Sequence, residues 1–588
     1  MTIETSDLQT KDQAHRKPGV AARLTITEAL FGLVALAAGV LRLADLGHIP
    51  LSPAEAEAAL TVWRFWQPGQ AMLAPSSPAY FTLTAVLTQI LGFNDAVMRL
   101  VPALFGVALV LLPWLLRQRL GAAGALVTAV FLTVSPITVI VSRTAGGEAI
   151  ALFAVFLLLA AWVRWQDAGD GRWAITLATA LGLGLASAPL FYSGLAALAV
   201  AWFLQLTLGP RLGHLAEEAV DKESETAVWP KAALVGLFTF LALTTTFLLN
   251  ISSLGAAATL LSAWLQQFGR SDLVPASTPI LAMMRYEMGL LVLGLAAAVW
   301  AGWRGHSLGR LALYWLAGVV LLLLAQLGVI ANAALAPLAG YLLIGSFTGS
   351  VIGDYIHRRA WALGGGLLLI WGLIFVNVNR YLRTSVFDAT DMTHIWIAIF
   401  GLTLGLTAIY FLITWDGRST YQGILFSLIG ILVFYNWGTA WWLGQEGAND
   451  PRETWVTTGA DNEVPLLIGE IRDLSWQVAG SATDVDIFSA VNSPILAWYL
   501  RDFPNFQMGS AVPPAATASL ILTPDGTEPA FGSDYLGADY GLVRSGIASP
   551  SPSPSPLRDT LRWWVFQEST AVPQQQRLIL WLRADLTQ

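Results

Sequence analysis

Two short acidic stretches carry residues that could do chemistry. The first is Leu51–Glu57, where Glu55 and Glu57 directly follow an apolar segment. The second is Ser142–Glu148, where Arg143 and Glu148 bracket a small-residue turn at another apolar boundary. A carboxylate can take a proton from a hydroxyl, and one or two carboxylates can hold Mg²⁺ or Mn²⁺ beside a phosphate. An arginine offers a planar fork suited to phosphate oxygens. Glu55 and Glu57 sit at i and i+2, so on a helix only one of them can face a given pocket. A plainer reading competes at each position. Acids favour the first turn of a helix, which suits Glu55, Glu57 and Glu148. Arg42 and Arg143 lie at apolar-segment ends, where long cationic side chains snorkel. His48 lies near the first stretch, but a lone histidine is more often structural than catalytic.

These stretches must be positioned by apolar elements. Of 588 residues, 55% are hydrophobic and 12% are charged, about half the charged fraction of a soluble domain. The runs 26–43, 97–116, 122–141, 149–166, 173–188, 190–208, 231–250, 279–300, 311–331, 334–351, 360–377, 393–414 and 422–443 are each of span length. This pattern predicts an α-helical polytopic membrane protein with thirteen spans. The run 79–92 is too short to cross and reads as a surface or re-entrant helix. Charge supports that choice. With 79–92 not crossing, Arg117, Arg119, Arg164, Arg172, Lys222, Lys231, Arg304, Arg310, Arg358, Arg359 and Arg418 fall inside. Loops 44–96, 142–148 and 253–278 then lie outside, so both acidic stretches share the outer face.

Residues 1–25 form a cytoplasmic tail with Lys11, Arg16, Lys17 and Arg23, the pattern of an uncleaved signal-anchor. Ala54–Trp66 reads as a surface helix, and 253–278 carries an apolar face of Leu260, Leu261, Trp264 and Leu265. The inner loop 209–230 holds Glu217, Glu218, Asp221, Glu223 and Glu225 and reads as a solvated connector. The membrane domain ends at residue 443, and 444–588 reads as a small extracytoplasmic α/β domain. Strands are expected at Val485–Val491, Ala518–Leu522 and Arg577–Leu582, and helices at Pro465–Val478 and Leu557–Glu568. Its Pro/Ser run 549–556 reads as an extended loop. A net charge of −7 offers no nucleic-acid footprint, and the absence of cysteine excludes disulfides. Arg285 and Glu287 could pair with each other, Asn332 reads as a turn, and Asp388 and Asp391 lack ligand spacing.

Taken together, the motifs resemble the GT-C superfamily of polyprenyl-phosphate-sugar-dependent glycosyltransferases, such as protein O-mannosyltransferases and aminoarabinose transferases. The resemblance runs through Arg42-Leu43, Pro50–Ala56, Ser77–Phe81, Arg99–Gly106 and Ser142-Arg143. The stretch Pro494–Asp502 resembles a prokaryotic subgroup described as flippase-activity-associated. In such families an Asp-Glu pair opens the first outer loop, and here the pair is Ala54-Glu55.

The resemblance implies an inverting transfer of a sugar from a polyprenyl-phosphate carrier to an acceptor at the outer face of the plasma membrane. Glu55 and Glu148 would be the catalytic carboxylates, with Glu57 and His48 as substitutes. Arg143 and Arg42 would bind the phosphate, and Glu55 with Glu148 could hold Mg²⁺ or Mn²⁺. The missing Asp leaves an alternative: a non-catalytic relative that binds lipid-linked sugars or assists their flipping. A transporter ranks last, because few ionisable residues lie deep in the spans.

Overall fold

Each run expected to cross the membrane is helical over most of its length. The computed structural model describes residues 25–68, 74–208, 222–269, 274–353, 356–383, 389–513, 516–526, 533–546, 556–569 and 572–586. Outside them lie Lys11, Arg16, Lys17 and Arg23, the connector acids Glu217, Glu218 and Asp221, Asp388, and Ser549–Ser555. The side chains of Lys222, Glu223, Glu225 and Asp391 also lie outside.

The membrane part begins α1 (Ile26–Leu43), α2 (Pro53–Phe65), α3 (Pro78–Leu91), α4 (Asp95–Leu111), α5 (Arg117–Val134), α6 (Pro136–Arg143) and α7 (Glu148–Ala168). It continues with α8 (Gly171–Leu185), α9 (Pro189–Leu208), α10 (Lys222–Thr244), α11 (Ser253–Gln266), α12 (Thr278–Tyr286) and α13 (Met288–Arg304). It closes with α14 (Ser307–Ala325), α15 (Leu335–Ile352), α16 (Arg358–Arg383), α17 (Ala389–Trp415) and α18 (Gly417–Gly444).

Among the described residues, nine helical stretches are long and apolar enough to cross a membrane, or ten if α12 and α13, bent by 91°, form one span. One of these, Asp95–Val134, is interrupted at Gly121, whose φ of 71° suits only glycine, so it divides into two helices. The expected runs 173–188 and 231–250 are met by α8, of 15 residues, and by the apolar part of α10, Val228–Thr244. All thirteen expected runs overlap helices, but the described residues hold fewer stretches able to cross than the thirteen expected spans. α3 has 14 residues and spans about 21 Å, short of a hydrocarbon core of about 30 Å.

The break between α5 and α6 is held from both sides by opposite charges. Ser135 leaves the helix, and Pro136 restarts it at N1, where its missing N–H costs nothing. Arg42 of α1, fully buried, donates to the last carbonyls of α5, Leu132 at 2.9 Å and Thr133 at 3.1 Å. Glu287 accepts from Ser135 Oγ at 2.6 Å and Ile137 N at 3.2 Å, at the amide end of α6. A cation on carbonyls and an anion on amides match the two helix dipoles. Arg42 is thus committed to structure and lines neither cavity of the site described below, contrary to its expected phosphate role. Glu287 does not pair with Arg285, because Arg285 turns instead to Glu453 at 3.3 Å.

Beyond α18 come β1 (Thr458–Ala460), α19 (Val464–Ala479), β2 (Ile487–Ser489), α20 (Pro494–Tyr499), β3 (Phe506–Met508), β4 (Leu520–Pro524), β5 (Tyr535–Ser545), α21 (Pro556–Val565) and β6 (Gln574–Arg583). They form a six-stranded mixed sheet ordered β1-β5-β6-β4-β2-β3. β2 runs parallel to both β3 and β4, and α20 makes the crossover between β2 and β3. The other pairs are antiparallel.

This domain grips the loop between α1 and α2 and the start of α4. Asp95 receives Trp498 Nε1 at 2.8 Å and the Tyr499 hydroxyl. The Tyr499 oxygen also accepts the Leu51 amide at 2.9 Å, and Arg501 donates to the Phe93 carbonyl at 3.0 Å. Burial, then the Asp95 charge, push the Tyr499 phenol up, so it remains a donor. Asn449 adds a bond to the Pro50 carbonyl at 2.8 Å.

Candidate active site

α2 starts with a capping box. The Ser52 side chain accepts from the Glu55 amide, Glu55 reaches back to the Ser52 amide at 3.0 Å, and Pro53 fills N1. That geometry turns the Glu55 carboxylate inward, where it is 4% exposed. Arg99 of α4 grips it in a fork, Nε to Oε1 at 2.8 Å and Nη2 to Oε2 at 2.7 Å. The Ala145 amide adds a bond to Oε1 at 2.8 Å, and Ser52 Oγ one to Oε2 at 3.0 Å. The remaining guanidinium hydrogens go to the carbonyls of Leu46, Ile49 and Pro50.

Burial alone would raise the Glu55 carboxyl, but the Arg99 charge and the bonds from Arg99, Ala145 and Ser52 hold it below its ordinary value. Five donors occupy its lone pairs, so its geometry is that of a clamp joining both acidic loops to α4. This departs from the expectation of a free base. It also leaves Glu55 unable to serve as a metal ligand beside Glu148. Among the described residues no group of three or more His, Asp or Glu side chains gathers. Of the two carboxylates expected to hold a divalent cation, Glu148 alone is uncommitted.

Glu148 is placed differently. It opens α7 behind Gly146-Gly147 and is half-buried. Among the described residues its carboxylate has no partner from another side chain, and only its own amide supports it. It lines a cavity of about 740 Å³ together with Glu55, Ser77, Tyr80, Pro189 and Gln266. α7 starts this close to the wall because residue 147 lacks a side chain. A Cβ there would lie 2.2 Å from Ser77 Oγ and 2.3 Å from the Ser187 carbonyl oxygen. Gly147→Ala should therefore push the Glu148 turn off the wall. The expected result is a folded but less stable protein, by about 1–3 kcal/mol, measured as thermal stability in detergent.

A second cavity of about 310 Å³ adjoins the first and is lined by Asp45, Ser52, Arg99, Arg143, Thr457 and Thr458 among others. Arg143 closes α6 and donates to four carbonyls, those of Gly444 at 2.6 Å, Leu41 at 3.2 Å, Ala44 at 2.7 Å and Asp45 at 3.2 Å. Among the described residues no carboxylate pairs with it, so its charge remains available to an anion in this cavity. Ala54, Glu55, Thr144, Ile330 and Trp455 line both cavities and form their common wall.

The other expected site residues lie elsewhere. Glu57 is exposed on α2 and lines neither cavity. His48 is exposed, 3.9 Å from Glu446, and faces the C-terminal domain. Asn332 sits in the 3₁₀ turn Ile330–Ala334, bonded to Gln326 at 2.7 Å. Two residues were given no role by the sequence reading. Arg99 stood inside a quoted motif, and a lone arginine near the start of a span was the available signal. Trp455 lies in the linker after α18, where nothing in the local pattern marks it.

A sequence profile described as dolichyl-phosphate-mannose-protein mannosyltransferase matches residues 75–216. No curated protein matches the chain. Among solved structures, ArnT from Cupriavidus metallidurans bound to undecaprenyl phosphate superposes with a TM-score of 0.50 at 14% identity, covering 95% of this chain and 98% of that one. The apo state of the same protein gives the same values. The Archaeoglobus fulgidus oligosaccharyltransferase gives a TM-score of 0.39 at 11% identity, covering 82% of this chain and 62% of that one. The likeness to ArnT shows the fold: a multi-pass membrane protein with a GT-C-like helical part and a C-terminal sheet domain.

Proposed function

We propose that the chain transfers a sugar from a polyprenyl-phosphate carrier to a hydroxyl acceptor at the outer face of the plasma membrane. In this reading its N-terminus is cytoplasmic and its sheet domain extracytoplasmic. The observation that carries it is the Glu148 carboxylate, unclaimed by any other described side chain and set on a cavity wall. The fold likeness and the profile match support the same class of donor.

An inverting displacement needs the nucleophile and the leaving group on opposite faces of the anomeric carbon. Glu148 in the large cavity and Arg143 in the small one supply the two sides. The acceptor oxygen attacks the anomeric carbon as its proton passes to Glu148. The bond from that carbon to the phosphate oxygen breaks, its electron pair staying on the phosphate beside Arg143. Glu55 and Arg99 hold the loops in register and take no proton. No step runs through a metal ion. The test is turnover of undecaprenyl-phosphate-linked hexoses by membranes carrying the full chain. No turnover above membranes lacking it would reject transfer.

One observation favours the second reading, a binder of lipid-linked sugars. Ala54 lies on the wall between the two cavities and brings no charged group there. We expect the native chain to turn over and Ala54→Asp to change its rate by less than about tenfold, 1.36 kcal/mol in barrier. Transfer seen only in Ala54→Asp would make the native protein a binder.

A further inference from the structure

The wall between the two cavities contains one aromatic side chain, Trp455. Its backbone is pinned, with its amide pointing to the Tyr286 hydroxyl at 3.4 Å. The residues before it are fixed as well. Glu453 accepts from Tyr286 at 2.7 Å and from Trp442 Nε1 at 2.9 Å, and Thr454 accepts from Arg285 at 2.8 Å. The indole itself is half-buried, and among the described residues it has neither a ring partner nor a hydrogen bond for Nε1. A fixed backbone thus presents an unpaired indole to the space between Glu148 and Arg143.

Large rigid aromatics with one polar edge supply contact area at little entropic cost, and the C–H face of a pyranose matches an indole plane. We infer that Trp455 is the platform on which the transferred sugar ring lies. The inference rests on the transfer reading above. Trp455 is a positioning residue: it fixes the ring so that the anomeric carbon faces both cavities, and it takes no part in bond making.

The test compares two lipids on the full chain in nanodiscs, undecaprenyl phosphate and mannosyl undecaprenyl phosphate, across native protein, Trp455→Phe and Trp455→Ala. We expect Trp455→Ala to weaken binding of the mannosyl lipid tenfold or more while binding of the bare phosphate lipid stays within twofold. Trp455→Phe should keep most of the affinity. Equal loss for both lipids would make Trp455 a packing residue and overturn the inference, as would no loss for either. Native protein that binds neither lipid would remove the transfer reading itself, and the platform with it.

Discussion

Glu148→Gln should cut glycosyl transfer by about 10²–10⁴-fold, the usual contribution of a positioned proton acceptor. The amide keeps the shape of the side chain, and the carboxylate it replaces has no partner in another described side chain, so little packing is lost. Thermal stability should therefore stay within about 0.5 kcal/mol of native. Binding of undecaprenyl phosphate should persist, since the proposed transfer places its phosphate beside Arg143 and not beside Glu148. Turnover is read with lipid-linked hexoses in membranes and stability by thermal melting in detergent. A Glu148→Gln protein that turns over at the native rate would transfer the proton-accepting role elsewhere.

Arg99→Met should have the larger effect on folding. It strips a buried carboxylate of its two shortest bonds, 2.7 and 2.8 Å, and frees the carbonyls of Leu46, Ile49 and Pro50. Removing one partner of a buried pair costs about 3–5 kcal/mol. The effect should depend on pH with a defined sign. In the native chain the Glu55 carboxyl is held below its ordinary 4.5. Its contribution is fully present above the unfolded value and is lost as pH falls through the folded one. In Arg99→Met, burial acts without the opposing charge and pushes the carboxyl up. The variant's folded state then binds protons more readily than its unfolded state, so its deficit should shrink as pH falls from 7 toward 5. Melting curves across that range decide the matter, and a deficit that is flat or grows in acid would show that Arg99 does not hold Glu55. The double variant Arg99→Met with Glu55→Gln should recover part of the loss at neutral pH, because no charge remains buried.

The membrane framework was legible because bilayer thickness imposes a length on every crossing, and apolar runs report that length directly. The break at Ser135-Pro136 lay hidden inside the run 122–141, since its anchors, Arg42 and Glu287, are distant in sequence. The same holds for Glu55. Its local half was readable, because Ser52-Pro53-Ala54-Glu55 is a capping-box pattern. Its partner Arg99 lies 44 residues away at the start of α4, and only the tertiary structure brings the two together. Glu148 could be proposed from its position at a span start, but the absence of a partner is a property of tertiary structure alone. In the sheet domain, β4 and β6 showed apolar runs, whereas β5 did not. Gly537, Asp539 and Gly541 interrupt it, and Leu536–Asp539 is exposed on both faces.

The grip of Tyr499 on Leu51 joins residues 448 positions apart. A ribosome delivers the first of these long before the second. The nascent chain can insert its helices in order, and Arg99 can reach Glu55 early, yet Leu51 has no Tyr499 to hold it until the last fifth of the polypeptide emerges. Closure of the loop ahead of Glu55 is in this sense a terminal event of biogenesis. A product cut short before Pro494 would keep Glu55, Arg99, Arg143 and Glu148 but lack the tie on Leu51.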